Sequence, residues 1–114
     1  MATKLPAADL ELLARYCESR VPEQYRDQVR IEYRTRGTTV TIVDCRPPWP
    51  GEDGTEWSEL PVARIKFDPE SERWTLYWFD RNSKAHRFDL LEPYRPMARV
   101  LEEIETDRTN IFWG

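Results

Sequence analysis

The sequence predicts an α+β fold, in which a five-stranded antiparallel meander is flanked by an N-terminal and a C-terminal helix in two layers. Apolar residues recur at helical spacing only near the two ends of the chain. Between the ends, apolar and polar residues alternate in segments separated by short turn sequences, which is typical of consecutive hairpins. The alternative is a strongly curled sheet wrapped round one helix. With 114 residues, the chain is predicted to form a single domain over residues 1–114.

The first helix is predicted over residues 6–19. Pro6 suits the start of a helix, and Pro22 must follow its end, because proline fixes φ and lacks an N–H donor. The apolar stripe of this helix has the spacing i, i+3, i+4 and i+7 and consists of Leu10, Leu13, Ala14 and Cys17.

Residues 28–45 change to a period of two and predict the first hairpin. If Arg36 and Gly37 form a two-residue turn, Tyr33 lies opposite Val40 and the apolar residues share one face. Because Arg36 would then need a positive φ, a slightly longer turn is the alternative.

A long acidic, proline-rich loop is predicted over residues 46–60. Its prolines and glycines exclude a helix or an inner strand. A connection of about 15 residues exceeds the usual length, and such loops are functional or mobile. The loop contains Trp49 and Trp57, which we interpret either as lids over the sheet or as anchors for a partner.

The second hairpin is predicted to have strands at 62–67 and 73–79, joined by a type I turn at residues 68–71. Pairing Phe67 with Trp74 builds one apolar face. The same register pairs Ile65 with Leu76 and Ala63 with Trp78.

The opposite face of the second hairpin is predicted to be aromatic as well. Arg64 would lie beside Tyr77, and Val62 beside Phe79. Because a sheet in a two-layer domain has only one face to bury, a partner, the long loop or the C-terminal tail must cover these rings.

A fifth strand is predicted over residues 85–90, after the turn at 80–84. In this register His86 lies opposite Trp78, Phe88 opposite Leu76, and Leu90 opposite Trp74. After Pro93 and Pro96, a second helix is predicted from Met97 to about residue 105, with the apolar stripe Met97, Val100, Leu101 and Ile104. The apolar tail that follows is expected to dock on the body of the protein.

Several classes of protein are excluded by composition. No apolar run approaches the roughly 18 residues of a membrane span, and the N-terminus does not resemble a secretion signal. We therefore expect a cytoplasmic protein without a membrane partner. Cys17 and Cys45 are too few for a disulfide framework and lack zinc-site spacing, so buried reduced thiols are expected. No motif indicates a cofactor or a metal.

Residues 73–82 and the residues Lys84, His86, Arg87, Phe88 and Asp89 resemble the signature of a family of short bacterial proteins, largely actinobacterial, described only as a domain of unknown function. Residues 46–49, 61–63, 101–105 and 111–114 match the same pattern. The resemblance implies a free-standing bacterial cytoplasmic domain. It implies no activity, ligand or mechanism.

Only one histidine is present, and it is the main candidate for catalysis. His86 with Asp80 as its orienter suits general acid–base chemistry. The structural interpretation, a strand histidine packed on Trp78, is favoured because proximity in sequence says little about a site. Arg81 at the tip of the 80–84 turn is a candidate recognition group, although Asp80 also suits the turn itself.

The leading hypothesis is a non-catalytic binding or regulatory module whose partner is a protein or a second copy of the chain. The alternative is binding of single-stranded nucleic acid by rings flanked by basic residues, including Lys66. A small hydrolase or nuclease centred on His86 ranks lowest. The candidate binding residues are Trp49, Trp57, Arg64, Tyr77, Phe79, Asp80, Arg81 and Arg87.

Overall fold

The structure, a computed structural model, describes residues 5–48 and 56–113. Helix α1 (Ala7–Ser19) and a short 3₁₀ helix (Glu23–Tyr25) precede the strands, and helix α2 (Met97–Thr106) follows them. The strands are β1 (Arg30–Arg36), β2 (Thr39–Arg46), β3 (Ser58–Asp68), β4 (Arg73–Phe79) and β5 (Ala85–Arg87). They form an antiparallel sheet in chain order. The predicted α+β fold, a meander flanked by two helices, is confirmed.

The hydrophobic core lies between one face of the sheet and the two helices. Leu13 of α1, Ile104 of α2 and Trp74 of β4 are completely buried in one cluster. Each large apolar side chain buried in this way contributes about 1.5–3 kcal/mol to folding. The helix stripes predicted from spacing therefore supply the layer that covers the sheet. None of the helices in the described ranges is both long enough and apolar enough to cross a membrane.

The turn of the first hairpin differs from the predicted one. Gly37 and Thr38 form it, so Arg36 pairs with Thr39, and Tyr33 lies opposite Ile42 instead of Val40. Gly37 has a φ of 59°, which suits the first central position of a type II′ turn. Because the observed register differs from the predicted one by two residues, every side chain keeps its predicted face.

The loop between β2 and β3 is shorter than the predicted 46–60. Arg46 still belongs to β2, and β3 begins at Ser58, which pairs with Arg46. Pro61 is accommodated inside β3 because it adjoins a bulge, where the pairing shifts between Ile42 and Val43. The predicted loop is therefore too long at both ends, since Arg46 belongs to β2 and residues 58–60 extend β3, where they pair with β2 only.

The second hairpin has the predicted core register. Phe67 pairs with Trp74, and Arg64 pairs with Tyr77. Val62 does not lie beside Phe79 as predicted, because the pairing of β3 with β4 starts at Ala63. The bulge turns Val62 into the core, where it is 7% exposed.

The fifth strand is shorter than predicted and ends at Arg87. His86 pairs with Trp78 as predicted, and the Phe88 amide donates to the Leu76 carbonyl at 2.9 Å. Leu90, however, is 56% exposed, and Trp74 instead forms a bridge with Tyr94. The chain turns directly after Phe88, which removes Leu90 from the predicted pairing.

The C-terminal tail docks as expected, and the carboxylate of Asp107 holds it in place. Asp107 ends α2 with a φ of 45°. Its oxygens accept hydrogen bonds from the amides of Ile111, Phe112 and Trp113 at 2.8–3.0 Å. Phe112 is buried, with its ring centroid 5.3 Å from that of Phe88. The tail therefore lies on the helix side of the sheet.

Candidate binding surface

The candidate surface is the outer face of the sheet, defined here by the strand side chains that alternate away from the core cluster. One row crosses the strands on this face. Arg64 lies between Thr41 and Tyr77, and Tyr77 pairs in turn with Arg87. The predicted site residues Arg64, Tyr77 and Arg87 are thus brought together by the register of β3, β4 and β5.

Positive charge is concentrated on the outer face, although the whole chain has a net charge of −4. Its basic side chains are Arg30, Arg34, Arg36, Arg64, Lys66, Arg73 and Arg87. The acidic side chains of the same strand face are Glu32, Glu59 and Asp68. The excess acid of the chain therefore lies elsewhere than on this face.

Few of these cations are neutralised within the part of the chain that the structure describes. Arg34 forms ion pairs with Glu32, at 3.0 Å, and with Glu59. Arg87 lies 3.7 Å from the Glu92 carboxylate, which is a loose contact. No ion pair to a described residue is formed by Arg36, Arg64, Lys66 or Arg73.

Arg64 and Phe79 form the centre of the surface. The guanidinium carbon of Arg64 lies 5.2 Å from the centroid of the Phe79 ring, within the range of a cation–π interaction. The Nε–H of Arg64 is buried, and no acceptor for it is found among the described residues. The same holds for Nε of Arg20 and Nε1 of Trp113, so a buried donor without an acceptor is not peculiar to the outer face.

The rings of the outer face are not covered by the tail. Tyr77 and Phe79 are both partly exposed, and the tail docks on the opposite side of the sheet. Trp57 is half-buried and lies against Arg30, 4.2 Å from the guanidinium carbon to the ring centroid. Trp57 therefore contacts the outer face at β1, whereas Trp49 lies outside the described residues.

The turn that follows β4 is organised by Asp80. Its Oδ1 accepts the amides of Asn82 and Lys84 at 2.8 and 3.0 Å, and its Oδ2 lies 2.8 Å from Nε2 of His86. The hydrogen bond to His86, followed by those of the backbone, lowers the pKa of Asp80 to about 2. Asp80 is thus engaged by the turn itself, while Arg81 is exposed at its tip.

His86 belongs to a different surface from the aromatic row. It pairs with Trp78 on the core-facing side of the sheet, at the rim. The two rings stack with centroids 4.7 Å apart and planes inclined by 27°. The arrangement combines both sequence interpretations, because His86 packs on Trp78 and is oriented by a carboxylate.

The two thiols of the chain are not available as nucleophiles for that pair. Cys17 and Cys45 are buried free thiols. Burial raises the pKa of Cys17 to about 12 and also raises that of Cys45. Within residues 5–48 and 56–113, no group of three or more His, Cys, Asp or Glu side chains is placed to hold a metal ion.

Sequence reasoning missed part of the basic surface. Arg34 and Arg36 share the outer face with Arg64, although Arg36 is predicted to lie in the hairpin turn and Arg34 is not among the candidate binding residues. The signal was present in their spacing, since alternate residues of one strand share a face. What spacing could not show is the register between β2 and β3, which places Thr41 beside Arg64.

Comparison with known proteins identifies the family. The family model described as Domain of unknown function (DUF3024) matches residues 2–114. The chain belongs to the DUF3024 family. A search of curated proteins and a search of solved structures found no match to it. The DUF3024 match covers every element that builds the outer face.

Proposed function

We propose that this protein is a non-catalytic binding module that takes single-stranded nucleic acid on the outer face of its sheet. The observation that carries the proposal is the row in which Tyr77 lies between Arg64 and Arg87. Proteins that bind single strands combine aromatic platforms for the bases with cations that follow the phosphates.

The two rings have a suitable arrangement for stacking. Tyr77 and Phe79 are two residues apart on β4, which places them on one face about 7 Å apart along the strand. Both are partly exposed, and Arg64 lies against the Phe79 ring. A base stacked on either ring would be within reach of a guanidinium group. The guanidinium group of Arg64 has no acidic partner among the described residues.

Charge favours nucleic acid over the leading alternative, a protein partner. An aromatic protein contact needs no cations, yet the outer face gathers seven of them against three carboxylates in an acidic chain. Arg64 forms no ion pair with a described residue, and phosphate oxygens are acceptors that match a guanidinium group. Neither feature is required for self-association.

The test is the binding of a fluorescent oligothymidine and a fluorescent oligouridine, followed by anisotropy at several salt concentrations. For single strands, the logarithm of the affinity falls with the logarithm of the salt concentration by about 0.7 for each phosphate neutralised. Contacts to three phosphates therefore give a slope of about −2. Absence of binding at low salt, or binding with no salt dependence, contradicts the proposal.

Two variants and two matched controls locate the surface. The double change Tyr77→Ser with Phe79→Ser should weaken binding by about 1–3 kcal/mol for each stacked base. Arg64→Gln should weaken binding and make the salt slope shallower. The controls are Tyr25→Ser, at a tyrosine that is 50% exposed in the 3₁₀ helix, and Arg15→Gln, at an exposed arginine of α1. Both controls should bind like the unmodified protein.

The thermal stability of the same variants separates a binding role from a core role. If the rings serve binding, the double variant loses affinity while its melting temperature falls little. A large fall in melting temperature would show that Tyr77 and Phe79 belong to the core. Self-association that the double variant abolishes, without any binding of oligonucleotides, would support the protein-partner hypothesis instead.

A further inference from the structure

Two arginines, Arg73 and Arg95, face each other where the segment between β5 and α2 pairs with the start of β4. Trp74 and Tyr94 form an antiparallel bridge, in which the Trp74 amide donates to the Tyr94 carbonyl at 2.8 Å and the Tyr94 amide donates back at 3.0 Å. In this register Arg73 lies opposite Arg95, and Thr75 lies opposite Pro93. Directly opposed residues of an antiparallel pair have Cβ atoms about 4.5–5.5 Å apart.

Like charges in directly opposed positions destabilise a sheet. Here the repulsion is offset only in part, because Asp68 lies opposite Arg73 across β3 and β4, but neither Arg73 nor Arg95 forms an ion pair with a described residue. Two such arginines held together by a backbone bridge are a ready partner for an anion.

A groove lies between these arginines. A cavity of about 310 Å³ is lined by Arg73 and Arg95 together with the hydroxyl-bearing residues Ser71 and Thr75. A second cavity of about 280 Å³ shares both arginines and adds Tyr94, which is 45% exposed. The first cavity is at the lower end of the range for small-molecule sites, about 300–1,000 Å³, and the second lies just below it.

One carboxylate also lines the first cavity, but its oxygens are already engaged. Oδ1 of Asp68 accepts the Glu70 amide at 3.1 Å, and Oδ2 accepts the Ser71 hydroxyl at 2.9 Å. Asp68 therefore serves the turn between β3 and β4. With two guanidinium groups against one carboxylate, the groove keeps an excess of positive charge.

We propose that the groove between Arg73 and Arg95 binds the phosphate group of a small phosphorylated molecule. Guanidinium groups match phosphate oxygens with paired N–H donors, and the hydroxyl of Thr75 can donate to a remaining oxygen. The exposed Tyr94 lines the space beside the arginines, where the organic part of the ligand is accommodated. This site does not depend on the binding of nucleic acid by Tyr77 and Phe79.

The test is a titration of ¹⁵N-labelled protein with inorganic phosphate, AMP and adenosine, against sodium chloride of equal ionic strength. Phosphate and AMP should shift the amide resonances of Ser71, Thr75 and Arg95, and adenosine should not. Tighter binding of AMP than of inorganic phosphate identifies a phosphate ester as the ligand class. Equal shifts with chloride would overturn the proposal, and this measurement requires no variant.

A variant gives an independent test, in which AMP binding is expected to weaken while the melting temperature rises. Arg95→Gln should weaken AMP binding by about tenfold or more, since one charged hydrogen-bond donor is lost. In phosphate-free buffer the same change should raise the melting temperature, because it removes the repulsion from Arg73. Arg15→Gln on α1 is the control and should change neither. If phosphate raises the melting temperature of Arg95→Gln as much as that of the unmodified protein, the groove is not the site.

The nucleic-acid proposal is tested by other residues. The double change at Tyr77 and Phe79 should leave AMP binding intact, and Arg95→Gln should leave the stacking of bases on those rings intact. If the unmodified protein binds AMP but no oligonucleotide, the proposed function alone is refuted; if it binds oligonucleotides but neither phosphate nor AMP, the groove alone is refuted.

Discussion

The indole N–H of Trp74 donates a hydrogen bond to the carboxylate of Asp9, with 3.1 Å between Nε1 and Oδ2. Trp74 is completely buried in β4, and Asp9 lies in the first turn of α1. A buried indole N–H requires an acceptor, so this bond fixes how the N-terminal helix lies across a strand 65 residues later in the chain. The same strand carries the two outer rings on its other face.

Leu76 tests the assignment of the two faces of β4. It is 1% exposed in the core, so Leu76→Ala should lower the free energy of unfolding by about 2–5 kcal/mol. Thr75→Ala is the control, because Thr75 points to the outer face. Urea denaturation followed by tryptophan fluorescence measures both, and a loss under about 1 kcal/mol for Leu76→Ala would place this face outward.

Asp107 tests how the tail is held. Asp107→Ala removes the acceptor of three amide hydrogen bonds and should cost about 1–3 kcal/mol, because buried donors are left unsatisfied. Asp107→Asn keeps one oxygen and should cost less. A red shift of the fluorescence of Trp113, measured in a variant with the other tryptophans replaced, would report release of the tail. If Asp107→Ala were as stable as the unmodified protein, the tail would not depend on this carboxylate.

The lowered pKa of Asp80 predicts that the folded protein loses stability in acid. Its pKa is lowered to about 2 in the folded protein, whereas an unfolded aspartate has a pKa of about 3.9. The stabilisation from its hydrogen bonds is therefore complete above about pH 4 and is lost as the pH falls towards 2. Asp80→Asn should flatten this part of a plot of melting temperature against pH. An unchanged slope would show that other carboxylates determine it.

The burial of Cys17 predicts that its thiol reacts slowly in the folded protein. Burial raises its pKa to about 12, so the reactive thiolate is scarce at pH 8. Native protein should react slowly with iodoacetamide, and unfolding in urea should restore the ordinary rate. Cys17→Ser separates the two thiols, since Cys45 remains. Rapid labelling of Cys17 under native conditions would show that the contact of α1 with β1 opens readily.

His86→Gln tests whether His86 has a structural or a chemical role. The glutamine keeps a polar side chain beside Asp80. A structural histidine predicts lower stability with oligonucleotide and AMP binding intact. Loss of either binding activity at an unchanged melting temperature would assign His86 a functional role instead.

Much of the fold could be predicted from local spacing. The stripe Leu10–Cys17 predicted α1, and the alternation of β3 and β4 predicted the pairing of Phe67 with Trp74. These predictions succeeded because each rests on the period of one element. They failed where the chain departs from a period, as at the bulge beside Pro61 and at Leu90, where β5 ends early.

The sequence by itself determined the order of the elements, the two apolar helix stripes and the aromatic character of both faces of β4, because these follow from side-chain spacing along one segment. Only the tertiary structure decided which cations share the outer face, that the tail docks on the other side, and that Arg73 faces Arg95. The physical reason is that such contacts join residues distant in the chain. Their positions depend on strand register, on a bulge and on backbone hydrogen bonds that no local pattern encodes.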